Sequence, residues 1–226
     1  MKTGLLQAAA YPGRVRQVDL AETHISWVFL AGEYAYKFKK PLDLGFLDFR
    51  DPARRLHYCR EELRLNTRLA PQIYLDLAGA VETPAGWRVV PWRDGAEPAV
   101  RMRRFPHEAR LDRLLAAGRL AEDAFEPFAR SLAEFQQGLP PAPADGNMGT
   151  AAAVTRPAQA NFAALSREGL GPETCAELER LEDWTGAQAE TLGPAFAARL
   201  AAGFVREGHG DMHLGNLVML DGRIVA

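Results

Sequence analysis

Cysteine is scarce in this sequence. Cys59 and Cys175 are its two cysteines, and they lie too far apart to read as a paired metal motif. That argues against a cysteine-held metal and makes a reduced, cytoplasmic setting the default expectation. Long hydrophobic runs are also missing. No window approaches the roughly 18 apolar residues that a membrane span requires. The apolar residues before Tyr11-Pro12-Gly13 are too few and too interrupted for a signal peptide. A soluble chain with no membrane partner is therefore expected. Charge of one sign is not in excess either: 27 Lys and Arg stand against 29 Asp and Glu, for a net charge of −2. This leaves no global basic footprint for nucleic acid, and Arg101, Arg103 and Arg104 read as solvated strand-edge charge. Neither Gly-x-Gly-x-x-Gly nor Gly-x-x-x-x-Gly-Lys-Ser/Thr occurs. What remains is a chain with 47% hydrophobic and 25% charged residues, enough apolar material for one large domain or two tightly joined lobes.

The pattern of elements changes along the chain. His24-Ile25-Ser26-Trp27-Val28-Phe29-Leu30 is rich in β-branched and aromatic residues and is followed by an Ala31-Gly32-Glu33 turn. Tyr34-Ala35-Tyr36-Lys37-Phe38-Lys39 then alternates with period 2, so an antiparallel hairpin is predicted. Asp51 and Pro52 suit an N-cap and first-turn proline, predicting a helix over 54–69 that stops before Pro71. Further strands are predicted over 73–81, 87–90 and 99–105. Past Phe105 helical periodicity takes over, with helices expected at 111–117, 121–137, 158–166 and 173–192 and a surface connection over 140–150. No internal repeat is present. The order is α+β: a strand-rich part over 1–103 and a helix-rich part over 104–226. The chain closes with Leu217-Val218-Met219-Leu220, an Asp221-Gly222 turn and Arg223-Ile224-Val225-Ala226, a strong hairpin signal.

The chemistry concentrates in His209-x-Asp211-x-x-x-x-Asn216, set between a helix and that hairpin. Phosphoryl transfer from ATP to a hydroxyl needs a carboxylate to orient and accept the hydroxyl proton, and oxygen ligands for magnesium. An Asp followed five positions later by an Asn lets one loop supply both. This is the spacing of the kinase catalytic loop, with Gly210 where that loop carries Arg. The plain alternative is a helix-to-hairpin loop whose Asp and Asn satisfy local backbone groups. A second alternative makes His209, Asp211 and His213 the ligands of a metallohydrolase. Such a site draws on several loops, and the other three histidines, His24, His57 and His107, sit in unrelated contexts. The other half of a kinase site is a strand lysine paired with a helix glutamate. Lys37 occupies the strand, and the helix offers Glu61 and Glu62. Glu62 has the more apolar i±3 and i±4 neighbours (Tyr58, Cys59, Leu65 and Asn66), so it is the carboxylate that needs a cationic partner.

Several stretches together resemble the aminoglycoside-phosphotransferase-like, protein-kinase-like family, closest to the bacterial group often fused to a C-terminal P-loop ATP-binding domain. They are Thr23-His24-Ile25-Ser26-Trp27-Val28, Ala35-Tyr36-Lys37-Phe38-Lys39-Lys40-Pro41, Leu44-Gly45-Phe46-Leu47-Asp48-Phe49, Glu61-Glu62-Leu63-Arg64-Leu65-Asn66, Val100-Arg101-Met102-Arg103-Arg104-Phe105 and the catalytic-loop motif. The resemblance implies a bilobal fold with an antiparallel-sheet N-lobe and a mainly helical C-lobe. It implies ATP and Mg2+ as cofactors and a small-molecule hydroxyl as phosphoryl acceptor. By residue, it implies Lys37 as phosphate anchor, Glu62 as its partner, Val100 to Arg103 lining the adenine hinge through backbone groups around Met102 and Arg103, Asp211 as base and Asn216 as a metal ligand. Two departures accompany it. The first strands lack a glycine-rich loop, the Ala31-Gly32-Glu33 turn standing there instead. The second metal-binding Asp is expected within roughly five residues beyond Ala226. The C-lobe is accordingly expected to be truncated here, and the chain by itself to have little or no phosphotransferase activity. A catalytically silent nucleotide-binding module is the alternative function.

Overall fold

The computed structural model describes residues 1–45, 47–143, 145–165 and 169–226. Phe46, Ala144 and the expected helix end at Ser166 lie outside the described residues. The chain divides into two compact units, Met1–Phe128 with Asp211–Ala226, and Ala129–Gly210.

In the first unit, strands β1 (Val18–Glu22), β2 (Ser26–Ala31), β3 (Tyr34–Lys39), β4 (Tyr74–Thr83), β5 (Gly86–Pro91) and β6 (Glu97–Arg103) form one sheet. Its order is β1-β2-β3-β6-β4-β5, and every pairing is antiparallel. Because side chains alternate along a strand, the sheet has two distinct faces. Phe29, Tyr36, Phe38, Ala78, Ala80, Val89 and Ala99 pack on one of them, covered by Leu5, Ala10 and Tyr11 from the N-terminal segment. The Tyr11 hydroxyl donates to the Leu5 carbonyl at 2.7 Å, which locks that cover in place. The short helix α1 (Lys2–Leu5) belongs to this cover. The sequence reading gave this segment no element and missed β1. The signal for β1 was present in Val18 and Leu20, which pack inward between Asp19 and Ala21 with period 2.

The opposite face carries helix α2 (Pro52–Asn66). Asp51 caps it, its side chain accepting from the Ala53 amide, and Pro52 opens it, as the sequence signals require. Cys59 and Leu63 of α2 pack with Ala35, Val100 and Met102. The buried Arg55 fixes the helix at its other end, donating to both Glu97 carboxylate oxygens at 2.5 and 2.7 Å and to the Phe49 and Arg50 carbonyls.

After β6 come α3 (Leu111–Ala116), the start of α4 (Phe125–Gly138) and, from the chain's end, the hairpin β7 (Val218–Leu220) and β8 (Arg223–Val225). Asp221 and Gly222 turn this hairpin with φ of 49° and 75°, the paired positive φ of a type I′ turn. Leu111, Leu217 and Ile224 form its buried core, while Val225 and Leu220 reach the α2 face of the large sheet.

The second unit contains most of α4, then α5 (Ala151–Ala164) and α6 (Pro172–Ala201). Both of the latter run longer than the sequence reading, which began the first at 158 and ended the second at 192. Pro157 and Pro194 are accommodated inside the helices, and Thr150 caps α5 by accepting from the Ala153 amide at 3.2 Å. The first unit alone thus establishes an α+β fold with an antiparallel sheet.

Candidate functional site

The predicted lysine and glutamate meet. Lys37 Nζ lies 2.7 Å from Glu62 Oε1. The register explains it: Lys37 lies opposite Val28, and Ala35 opposite Leu30, on the face where those residues pack beneath α2. One α-helical turn past Cys59, Glu62 points to the same face. Glu61, the alternative, pairs instead with Arg64 at the surface, at 2.8 Å.

A residue that sequence reasoning missed completes the arrangement. Lys39 Nζ binds the second Glu62 oxygen, Oε2. Lys37, Lys39 and Lys40 crowd the end of β3, and their residue type alone does not single out Lys39. The period-2 rule carried the missing signal, because residues 37 and 39 of one strand share a face and 40 does not. Lys40, past the end of β3, donates instead to the Thr23 carbonyl at 2.6 Å and reaches Glu22 Oε1 at 2.6 Å.

Burial and charge set the ionisation. Burial works against the Lys37 charge, but the Glu62 carboxylate, with help from Tyr74, outweighs it and holds Lys37 above the ordinary lysine value. Burial likewise opposes ionisation of Glu62, yet Lys37 and Lys39 hold its carboxyl below the ordinary range. Lys37 and Glu62 are therefore both charged around neutrality. The neighbouring Cys59 thiol is pushed up to about 12 by burial and stays neutral.

The catalytic-loop residues form a second group in the same unit. Asn216 Nδ2 donates to Asp211 Oδ2 at 3.0 Å and to the Asp211 carbonyl at 2.9 Å. The loop is shaped for this closure. Gly210 takes φ of 79°, which favours glycine, and His213 Nδ1 accepts from the Gly215 amide at 3.1 Å. A Cβ at 215 would meet the His213 ring at 2.9 Å, so a larger residue there would displace that ring from the Gly215 amide. Asp211 and Asn216 are both exposed. The Leu111 amide donates to the Leu217 carbonyl at 2.9 Å, tying the loop's exit to α3. His209 and Gly210 fall in the other compact unit. Among the described residues, no group of three or more His, Cys, Asp and Glu side chains is arranged to hold a metal ion.

Met102 lies in the centre of the sheet, paired with Ala35 on one side and Tyr74 on the other, its side chain on the α2 face. The Arg103 amide donates to the Ile73 carbonyl and the Arg104 amide to the Glu33 carbonyl, both at 2.8 Å. The missing β1 also relocates one feature. The first two strands are joined by Thr23-His24-Ile25, not by the Ala31-Gly32-Glu33 turn, which joins β2 to β3. That connection is closed by the Ser26 amide donating to Thr23 Oγ1 at 3.0 Å.

A cavity of about 700 Å3 lies elsewhere in this unit, between the first turn of α2 and strands β4 to β6, lined by Leu56, Trp87, Trp92 and Glu97 among others. No helix among the described residues is long and apolar enough to cross a membrane.

No protein-family model matches the chain. No solved structure matches it. Uncharacterized proteins of Mycobacterium tuberculosis and Mycobacterium bovis are each 33% identical to it over 208 residues, an alignment that covers 91% of this chain and 40% of the relative. The chain thus spans about 40% of the length of the curated relatives it matches.

Proposed function

We propose that this chain carries the nucleotide-anchoring and catalytic-loop parts of an ATP-dependent small-molecule kinase, with a protein-kinase-like arrangement of its sheet, α2 and catalytic hairpin. The observation that carries the reading is the charged Lys37–Glu62 pair, reaching from a central strand to the helix that follows it. Asp211 and Asn216 lie hydrogen-bonded to each other later in the same compact unit. Strand lysine, helix glutamate, catalytic Asp and metal-side Asn occur in the order that phosphoryl transfer of this kind uses.

Each residue has a distinct task. Lys37 offers its ammonium to the phosphates, and Glu62 fixes the direction of that ammonium. Met102 supplies apolar surface for the adenine base, backed by the enclosed Ala35 and Val100, with Leu220 of the hairpin packed against the same cluster. The Arg103 and Arg104 amides are already committed within the sheet, so Met102 contributes through its side chain. Asp211 accepts the proton of the acceptor hydroxyl as it attacks the γ-phosphorus. Asn216 orients that carboxylate through Oδ2, and His213 Nε2 stands 3.9 Å from Oδ1. The Asn216 Oδ1 atom is a hard oxygen donor of the kind magnesium prefers, with waters and phosphates completing its shell. Magnesium, when bound, neutralises charge that develops on the transferred group. Asp221 stands at the tip of the hairpin turn and is not placed for this duty.

The metallohydrolase reading is disfavoured, because His213 serves its own loop backbone and no metal-type cluster is found among the described residues. Thermal denaturation separates the readings. MgATP should raise Tm by mass action, Lys37→Ala should abolish the rise, and zinc or manganese without nucleotide should give none. The full-length protein should transfer labelled γ-phosphate to a hydroxyl compound. Stabilisation by zinc alone, with no response to MgATP, would overturn the proposal.

A further inference from the structure

The ion cluster contains two lysines for one carboxylate. Lys37 and Lys39 each take one Glu62 oxygen, so the cluster carries one positive charge in excess. The two lysines are not equivalent. The Lys37 side chain is 26% exposed and that of Lys39 only 7%. Lys39 is also seated in a built niche: its ammonium lies 5.9 Å from the centre of the Phe49 ring. Phe49 is itself packed edge-on against Tyr58 and held through its carbonyl by the buried Arg55. The inner lysine has no open path to a ligand, whereas the outer one does.

We infer that Lys39 is a positioning residue: by holding the second oxygen of Glu62, it limits Glu62 to one oxygen's grip on Lys37 and keeps Lys37 donors available to the phosphates of a nucleotide. This assignment rests on the nucleotide-binding reading above. An ammonium has three donors, and a carboxylate with both oxygens unfilled takes as many of them as geometry allows. Without Lys39, Oε2 is left unpaired in a side chain only 10% exposed. Such a group recruits the nearest cation, which is Lys37, and Lys37 then turns inward. The excess charge of the cluster is likewise seated on the exposed member, where an anion can meet it.

Four forms of the chain test this: wild type, Lys39→Met, Lys39→Arg and the double variant Lys39→Met with Glu62→Gln. Calorimetric titration measures the Kd of MgATP and of adenosine, which lacks phosphates. Lys39→Met should weaken MgATP binding about tenfold and leave adenosine within about twofold. The double variant should recover most of the loss, because no carboxylate remains to capture Lys37 while the glutamine amide oxygen still accepts from its ammonium and keeps its direction. Lys39→Arg should keep MgATP affinity within about threefold, and it carries the test if Lys39→Met does not fold. Equal losses for MgATP and adenosine would reduce Lys39 to a packing role. A failure of Glu62→Gln to rescue would likewise overturn the inference. A separate arm uses no nucleotide: modification of Lys37 by an amine-reactive ester, quantified by mass spectrometry. Slower modification of Lys37 in Lys39→Met supports its capture by Glu62, and unchanged modification refutes it. If wild type binds neither MgATP nor adenosine, the kinase reading falls while this arm still judges the lysine geometry.

Discussion

The two compact units differ in how they bury their apolar side chains. In Met1–Phe128 with Asp211–Ala226, three clusters are built on fully enclosed residues such as Phe29, Phe38, Val100 and Leu111. In Ala129–Gly210, no described residue is buried. Leu181, Trp184 and Phe204 there are 53%, 61% and 75% exposed. Packed side chains sit in fixed rotamers, and a charge pair such as Lys37–Glu62 needs that rigidity to hold its geometry. Every residue assigned to nucleotide or catalysis, from Lys37 to Asn216, lies in the unit that has a core. The helical unit relies on caps and long helices, which are worth far less per residue than a buried aromatic.

The sharpest way to break this contrast is to truncate one large side chain in each unit. Phe38→Ala, at a position with no exposure, should cost about 3–5 kcal/mol in chemical denaturation. Trp184→Ala, on α6, should stay within about 0.5 kcal/mol. Equal losses would mean that the helical unit has a core of its own. Next in size come the functional substitutions. Asp211→Asn should lower phosphoryl transfer in the full-length protein by about 100-fold or more, the range of a general base. It should change stability by no more than about 0.5 kcal/mol, since Asp211 is exposed. Lys37→Ala should weaken MgATP binding at least about tenfold. A loss of stability that tracked the loss of activity in Asp211→Asn would argue that the loop is structural.

Much of this was legible before any coordinates. The hairpin of β2 and β3, the capped helix α2, the Asp221-Gly222 turn and the choice of Glu62 over Glu61 each rest on a local rule: alternation, capping, positive φ or helical spacing. Such rules act within a few residues, so a sequence expresses them directly. What escaped was non-local or weakly patterned. Strand β1 is an edge strand only five residues long, and its short alternation was passed over, so the first inter-strand connection was assigned one turn too late. The role of Lys39 depends on a glutamate 23 residues away, and only the assembled sheet and helix bring the two together. The expected helices at 158–166 and 173–192 stop short of Pro157 and Pro194, and alanine-rich flanks carry α5 and α6 through both.

The buried ion cluster also makes a prediction about pH. Glu62 is depressed below its ordinary value of 4.5, so its charge contributes stability that is present above that value and lost as pH falls through its folded pKa. Lys37 is raised above 10.5, so its contribution is present below that value and lost as pH rises through its folded pKa. The cluster should therefore stabilise the chain across the whole interval between. Denaturation of wild type and Glu62→Gln should show a constant difference from pH 6 to 9 that narrows as pH drops below about 4.5. A difference that stayed constant into acid would mean that Glu62 is not the charged partner of Lys37.

The smallest effect is expected one residue beyond the cluster. Lys40 and Lys2 both hydrogen-bond Glu22 and hold its carboxyl down at about 2, with Lys2 the larger cause. Glu22 itself is exposed, so this pair lies in high dielectric and side-chain entropy offsets most of its attraction. Lys40→Ala should let the Glu22 pKa rise part of the way toward 4.5, Lys2 retaining the rest, as followed by NMR titration of the Glu22 carboxyl. It also removes the donor to the Thr23 carbonyl at the connection between β1 and β2. The Thr23–Ser26 backbone and hydroxyl bonds still close that connection without it. MgATP affinity should accordingly fall by less than about threefold, well short of the loss in Lys37→Ala. If Lys40→Ala matched Lys37→Ala, the anchoring cation would lie at the end of β3 and not on its α2 face, and the division of labour among the three lysines would have to be redrawn.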